Sequence, residues 1–150
     1  MYLATVPGCC TKKAVGYAMA DNMRTDLICE AIDMAARRCP HTTGETVFHS
    51  DRGCQYTSEQ LARHLESYGA RPSVGRTGVC WDNAWAESFN ATLKNERVYQ
   101  MVYPTRSKAI RDIASQVEPG THDQKRLHSA LGYRTPNEVE EEHRAVRQAA

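Results

Sequence analysis

Two acids stand where they could do chemistry together. Asp51 ends the run Val47-Phe48-His49-Ser50-Asp51-Arg52-Gly53, in which apolar residues give way to a carboxylate and then a glycine. That pattern suits a buried strand whose last residue projects into a loop. Glu87 lies in Trp81-Asp82-Asn83-Ala84-Trp85-Ala86-Glu87-Ser88-Phe89, one turn after an Asp-Asn pair suited to opening a helix. With 35 residues between them, a strand-end Asp and a helix-borne Glu could converge on a divalent cation. Hard cations such as Mg²⁺ take oxygen ligands, and carboxylate pairs hold them beside phosphates.

A third residue extends the pattern. Lys94 follows Glu87 by seven positions, two helical turns, which puts both on one face. Ala86, Phe89 and Leu93 fall on the other side of the wheel. Such a helix buries an apolar stripe and presents an acid and a cation together, as a site for a phosphate backbone would require.

These stretches resemble a known family. His49-Ser50-Asp51-Arg52-Gly53-Cys54-Gln55-Tyr56-Thr57-Ser58 is similar to the second-aspartate motif of bacterial insertion-sequence transposases of the DDE type, relatives of retroviral integrases. The segment from Trp81 to Lys94 is similar to their glutamate motif, and the 35-residue interval matches theirs. His128-Ser129-Ala130-Leu131-Gly132-Tyr133-Arg134-Thr135-Pro136 resembles their C-terminal signature. Three motifs in the family's order span nearly the whole chain.

The resemblance implies an α/β, ribonuclease-H-like fold, a mixed sheet with flanking helices, divided into a partial catalytic core over 1–118 and a C-terminal tail over 119–150. It implies phosphoryl transfer at DNA ends with Mg²⁺ or Mn²⁺, in which two ions about 4 Å apart activate the attacking oxygen and stabilise the leaving one. Asp51 and Glu87 would be catalytic and metal-binding. Lys94 would hold a backbone phosphate, a contact that carries no sequence information. Asn83, Arg52, Gln55, Tyr56 and Arg76 are the further candidates for DNA contact. Insertion-sequence ends and target DNA would be the partners, with other transposase subunits beside them.

The family's site has three carboxylates, and its first Asp stands on a strand upstream of the segment matched by Tyr2-Leu3-Ala4-Thr5-Val6. The expectation is therefore a core lacking its first, central strand and unable to cleave or join DNA alone. The acids before Asp51 (Asp21, Asp26, Glu30, Asp33 and Glu45) match no such position, and Gly8 replaces a further family Asp. With that strand missing, the N-terminal hairpin must pair with the Asp51 strand or leave an open edge. Each buried unpaired backbone group there costs about 1–3 kcal/mol, so marginal stability is expected. The alternative reading is a non-catalytic remnant that binds DNA or a transposase subunit.

Bulk properties fit this reading without demanding it. The 150 residues carry a net charge of +1, so affinity for DNA must come from local patches. The sequence holds no apolar run long enough to span a membrane and no secretory pattern at its N-terminus, and a cytoplasmic location is the default. Six cysteines are many for the length, yet none form a C-x-x-C pair, so zinc-finger spacing is not supported. The adjacent Cys9-Cys10 fall where a turn is expected and have no role in the family reading.

The elements that must position the site are legible in outline. Tyr2–Val6 and Ala14–Met19 read as a hairpin around Pro7-Gly8. Leu27, Ile28, Ala31, Ile32 and Ala35 keep helical spacing after Thr25, a plausible N-cap. Thr57 with Gln60 has the spacing of a capping box before a helix carrying Leu61, Leu65 and Tyr68, with Gly69 as its stop. Arg71–Val74 reads as an edge strand, where Pro72 is tolerated. Gly75 to Gly78 would be a basic loop beside the DNA. Thr105 caps a helix carrying Ala109, Ile110, Ile113, Ala114 and Val117, stopped by Pro119-Gly120. Thr135-Pro136-Asn137-Glu138 opens the last one. His49 reads as a hydrogen-bonded strand histidine, Trp81 and Trp85 as packing anchors, and Lys125, Arg126 and His128 as a small basic cluster.

Overall fold

The computed structural model describes residues 1–76, 83–118, 124 and 126–149, with the side chains of 147 and 149 outside that description. Thr77 to Asp82, Pro119 to Asp123 and Lys125 lie outside it, and with them the sequence readings of Trp81, Asp82 and the Pro119-Gly120 stop. In chain order the elements are β1 (Tyr2–Pro7), β2 (Ala14–Ala20), α1 (Thr25–Arg38), β3 (Val47–Ser50), α2 (Glu59–Ser67), β4 (Arg71–Val74), α3 (Ala84–Glu96), α4 (Arg106–Val117) and α5 (Pro136–Ala149). Short 3₁₀ turns cover Val98–Gln100 and Ser129–Leu131. Contacts divide the chain into two compact units: Met1–Val6 with Val15–Ser88, and Pro7–Ala14 with Phe89–Ala150.

In the first unit the strands form two separate pairs. β1 pairs with β2, and β3 pairs in parallel with β4, Val47 opposite Arg71 and Ser50 opposite Val74. Of the two outcomes open to the hairpin, the structure has the second: among the described residues β1 and β3 each keep an edge with no strand on it. What joins the pairs is apolar packing. Ala4 and Ala18 of the hairpin share a core with Leu27, Ile28, Cys29, Ala31 and Ile32 of α1 and Leu61 and Leu65 of α2, and Phe48 and Tyr56 pack against it. Gly16 lets β2 lie against α1, since a Cβ there would sit 2.2 Å from the Ala31 carbonyl oxygen.

Local signals held with two one-residue shifts. α1 begins at Thr25 rather than after it, because the Thr25 hydroxyl meets the Ser58 hydroxyl at 3.3 Å instead of capping its own helix. α2 is capped by Ser58, whose Oγ accepts from Leu61 N–H at 3.2 Å. Gln60 reaches Asp26 Oδ1 and Thr57 turns to the Gly53 carbonyl, so the expected box does not form. α2 ends as expected at Gly69 (φ +62°), with Ala70 N–H on the Leu65 carbonyl and Gly69 N–H on that of Glu66, a Schellman motif.

The second unit contains the C-terminal helices. Ala109, Ile113 and Val117 of α4 are buried with Phe89, Leu131 and Val139. Thr105 caps α4 as read, accepting from Lys108 N–H at 3.2 Å. At α5 the capping box is complete: Glu138 Oε2 accepts from Thr135 N–H at 2.7 Å, and Glu138 N–H returns a bond to Thr135 Oγ1 at 3.3 Å. Those bonds hold the Glu138 carboxyl below its ordinary range.

Candidate active site

Asp51 follows the last residue of β3 and is exposed. Its Oδ1 accepts the Gly53 N–H at 2.7 Å, an Asx turn that fixes the carboxylate at the strand end. Gly53 makes that closure possible, because a Cβ there would come within 3.0 Å of the same oxygen and 3.3 Å of the Tyr56 ring. The turn is tightened by Tyr56 N–H and Thr57 N–H, which donate to the Gly53 carbonyl at 2.9 and 3.2 Å. Burial first, and the charge of Asp51 second, push the Tyr56 phenol above its ordinary value.

The remaining loop candidates are held by backbone groups. Arg52 Nε donates to the Gly75 carbonyl at 2.9 Å, while Gly75 N–H donates to the Ser50 carbonyl at 2.9 Å. Gly75 thus ties the end of β4 to the residues flanking Asp51, a role that no sequence pattern announces. Gln55 Nε2 donates to the Met23 carbonyl at 3.1 Å. Tyr56 is half-buried against the core, and Arg76 is exposed just after β4. His49 Nδ1 lies 3.0 Å from Ser73 Oγ across the β3–β4 pair, the strand histidine that was expected.

Glu87 occupies the first turn of α3 and is exposed, with no hydrogen bond or ion pair among the described residues. A carboxylate there also faces the positive end of the helix dipole. Lys94 is exposed in the last turn of the same helix. Phe89 is buried, Ala86 and Leu93 are half-buried, and Trp85 is half-buried, in line with the predicted stripe. Asn83, half-buried, immediately precedes α3. In the basic cluster, Arg126 Nη1 bonds both Glu96 oxygens at 2.7 and 2.8 Å, so its charge is paired within the protein.

Asp51 and Glu87 offer hard oxygen donors, the chemistry that Mg²⁺ or Mn²⁺ takes, and neither is neutralised by a cation among the described residues. No group of three or more His, Cys, Asp and Glu side chains is gathered for a metal among those residues. A cation held by these two would therefore keep much of its coordination in water or substrate oxygens.

Comparison with known proteins places the fold and the family. Two models described as "Integrase core domain" match residues 1–80 and 68–136. The solved catalytic core domain of BIV integrase superposes with a TM-score of 0.59 at 17% identity, covering 88% of this chain and 80% of that one. The fold is ribonuclease-H-like, and the chain belongs to the integrase core domain family. It is 34% identical over 140 residues to the transposase for insertion sequence element IS904 of Lactococcus lactis, covering 93% of this chain and 54% of that protein. An IS600 protein of Shigella sonnei is 37% identical over 136 residues, covering 91% and 49%. Transposase InsF for IS3A of Escherichia coli is 30% identical over 142 residues, covering 93% and 48%. The chain thus spans about half the length of these relatives.

Proposed function

We propose that this chain is the catalytic-core portion of a DNA transposase, with Asp51 and Glu87 as its metal-holding carboxylates. The observation that carries the reading is a pair of exposed acids outside any ion pair among the described residues, one pinned at a strand end and one in the first turn of a helix, in a chain of the integrase core family. Divalent metal dependence is general in that family, and a cation bound by these acids would supply Lewis-acid stabilisation of a scissile phosphate.

The chain's own residues have separate tasks. Gly53 N–H holds one Asp51 oxygen, which leaves the other to face a cation. Glu87 presents its carboxylate from a rigid helix, and Lys94, two turns on, positions a backbone phosphate. Arg52 and Gln55, tied to the Gly75 and Met23 carbonyls, shape the loop and keep further donors for DNA. Arg76, Asn83 and Tyr56 border the same motifs. Insertion-sequence ends and target DNA are the proposed substrates.

With no group of three such donors gathered for a metal among the described residues, the chain alone is expected to nick or join DNA too weakly to detect. The same observation favours a second reading, a non-catalytic remnant that binds DNA or a transposase subunit. Mn²⁺ titration with Asp51→Asn and Glu87→Gln variants tests the site: each should weaken binding at least about tenfold, and unchanged binding would refute it. Supplying an upstream strand that carries an Asp and assaying metal-dependent strand transfer separates the two readings. Activity that Asp51→Asn abolishes supports a catalytic core, and its absence supports a remnant.

A further inference from the structure

The loop from His128 to Arg134 holds a backbone conformation that one of its own residues resists. Gly132 and Tyr133 follow one another in the left-handed region, at φ +66° and +60°. Glycine enters that region freely, whereas a side chain is rarely found there because its Cβ crowds the backbone. The surrounding bonds enforce it. The His128 carbonyl accepts Leu131 N–H at 3.0 Å and Tyr133 N–H at 2.9 Å, and Gly132 N–H donates to the Ser129 carbonyl at 3.0 Å. His128 N–H donates to the Arg134 carbonyl at 3.1 Å, and Arg134 Nε to the Leu131 carbonyl at 3.0 Å. Leu131 and Thr135, on either side in the chain, are buried and anchor the loop in its unit.

Packing does not account for the tyrosine. Tyr133 is 72% exposed, and its side chain makes no hydrogen bond or ring contact among the described residues. A glycine at 133 would form the same turn with less strain, so neither the fold nor the core asks for a ring there. A strained residue that its surroundings hold in place, at no gain to packing, points to a use for the side chain.

We propose that Tyr133 is a stacking platform for one unpaired base of DNA, displayed on a preorganised loop of the second unit. The proposal rests on the reading of the chain as part of a DNA transposase and adds a base contact to the phosphate contacts given above. The ring is the first support, since an exposed aromatic face stacks on any base without reading sequence. Its neighbours are the second: Gly132 and Arg134 are exposed and bring no apolar side chain, where a protein-docking patch would gather them. Charge is the third. The unit that carries the loop has 12 of the chain's 19 Lys and Arg and 8 of its 18 Asp and Glu, a net +4 within a chain of +1. A polyanion is drawn to that unit. At a DNA end a base leaves its pair at least cost, so the end is where such a platform finds one.

A duplex with a short unpaired overhang, compared with the same duplex blunt-ended, tests the proposal by fluorescence anisotropy with the full chain at fixed salt. The overhang should bind at least about fivefold more tightly. Tyr133→Gly should abolish that preference without changing affinity for the blunt duplex, and Tyr133→Phe should keep it. Tyr133→Gly should also leave the urea midpoint no lower than that of wild type, and 5-iododeoxyuridine in the overhang should photo-cross-link to Tyr133. A preference that survives Tyr133→Gly, an equal loss on both DNAs or a lowered midpoint overturns the proposal and leaves the transposase reading standing. Binding to neither DNA overturns both.

Discussion

Replacing Asp112 by Asn should make the stability of the C-terminal unit less sensitive to acid, by an amount that can be worked from one ion pair. Asp112 on α4 accepts Arg97 Nε at 2.8 Å, Arg97 Nη2 at its other oxygen, and the Tyr103 hydroxyl at 2.7 Å. The pair clamps the segment after α3 onto α4. Its side chain is 14% exposed and that of Arg97 is 36% exposed. The Arg97 hydrogen bonds, opposed by burial and assisted by Tyr103, lower the Asp112 carboxyl from its ordinary 3.8 to about 2. That drop is worth at most roughly 2.5 kcal/mol, and the partial exposure of Arg97 screens it to about 1–2 kcal/mol.

The folded-state value is the depressed one, so this stabilisation is fully present above the unfolded value near 4 and is lost as pH falls toward about 2. Urea unfolding of wild type and Asp112→Asn across that window isolates it, because the other acids titrate in both proteins. The wild-type advantage should shrink by about 1–2 kcal/mol between about pH 5 and pH 2. A difference between the two proteins that stays constant with pH would refute the assignment.

Three further outcomes follow from the same structure. Leu61, 1% exposed in the core of the first unit, should cost about 2–5 kcal/mol as Leu61→Ala in urea unfolding. Gly69→Ala should destabilise by at least about 1 kcal/mol in thermal unfolding, because φ is +62° and the new Cβ would meet Thr43 Cγ2 at 2.4 Å. Asp51→Asn should lower the Tyr56 phenol titration, measured by ultraviolet absorbance, because the Asp51 charge adds to burial in raising it. An unshifted tyrosine would mean that the Asp51 charge does not reach that ring.

The candidate site could be read from the sequence because the proposed reaction would dictate residue types and spacing. Asp51 after an apolar run, Gly53 two residues on, and Glu87 with Lys94 on one helical repeat are patterns of the chain itself. So were the Thr105 and Thr135–Glu138 caps and the Gly69 stop, whose partners lie within a few residues. Their bonds form wherever the local backbone forms, and the structure repeats them without help from distant parts.

Tertiary structure decided what long-range partners decide. Thr25 and Gln60 left their expected capping roles because Ser58 and Asp26, more than thirty residues away, offered other bonds. The joining of two separate strand pairs by the packing of α1 and α2, the Gly75 tie beside Asp51, and the Arg97–Asp112 clamp carry no local signature. The 3.7 Å approach of Cys10 Sγ to His143 Nε2 across nearly the whole chain has none either. Periodicity and capping arise from bonds within a few residues, whereas these pairings depend on which surfaces exclude water together, a property of the folded chain as a whole.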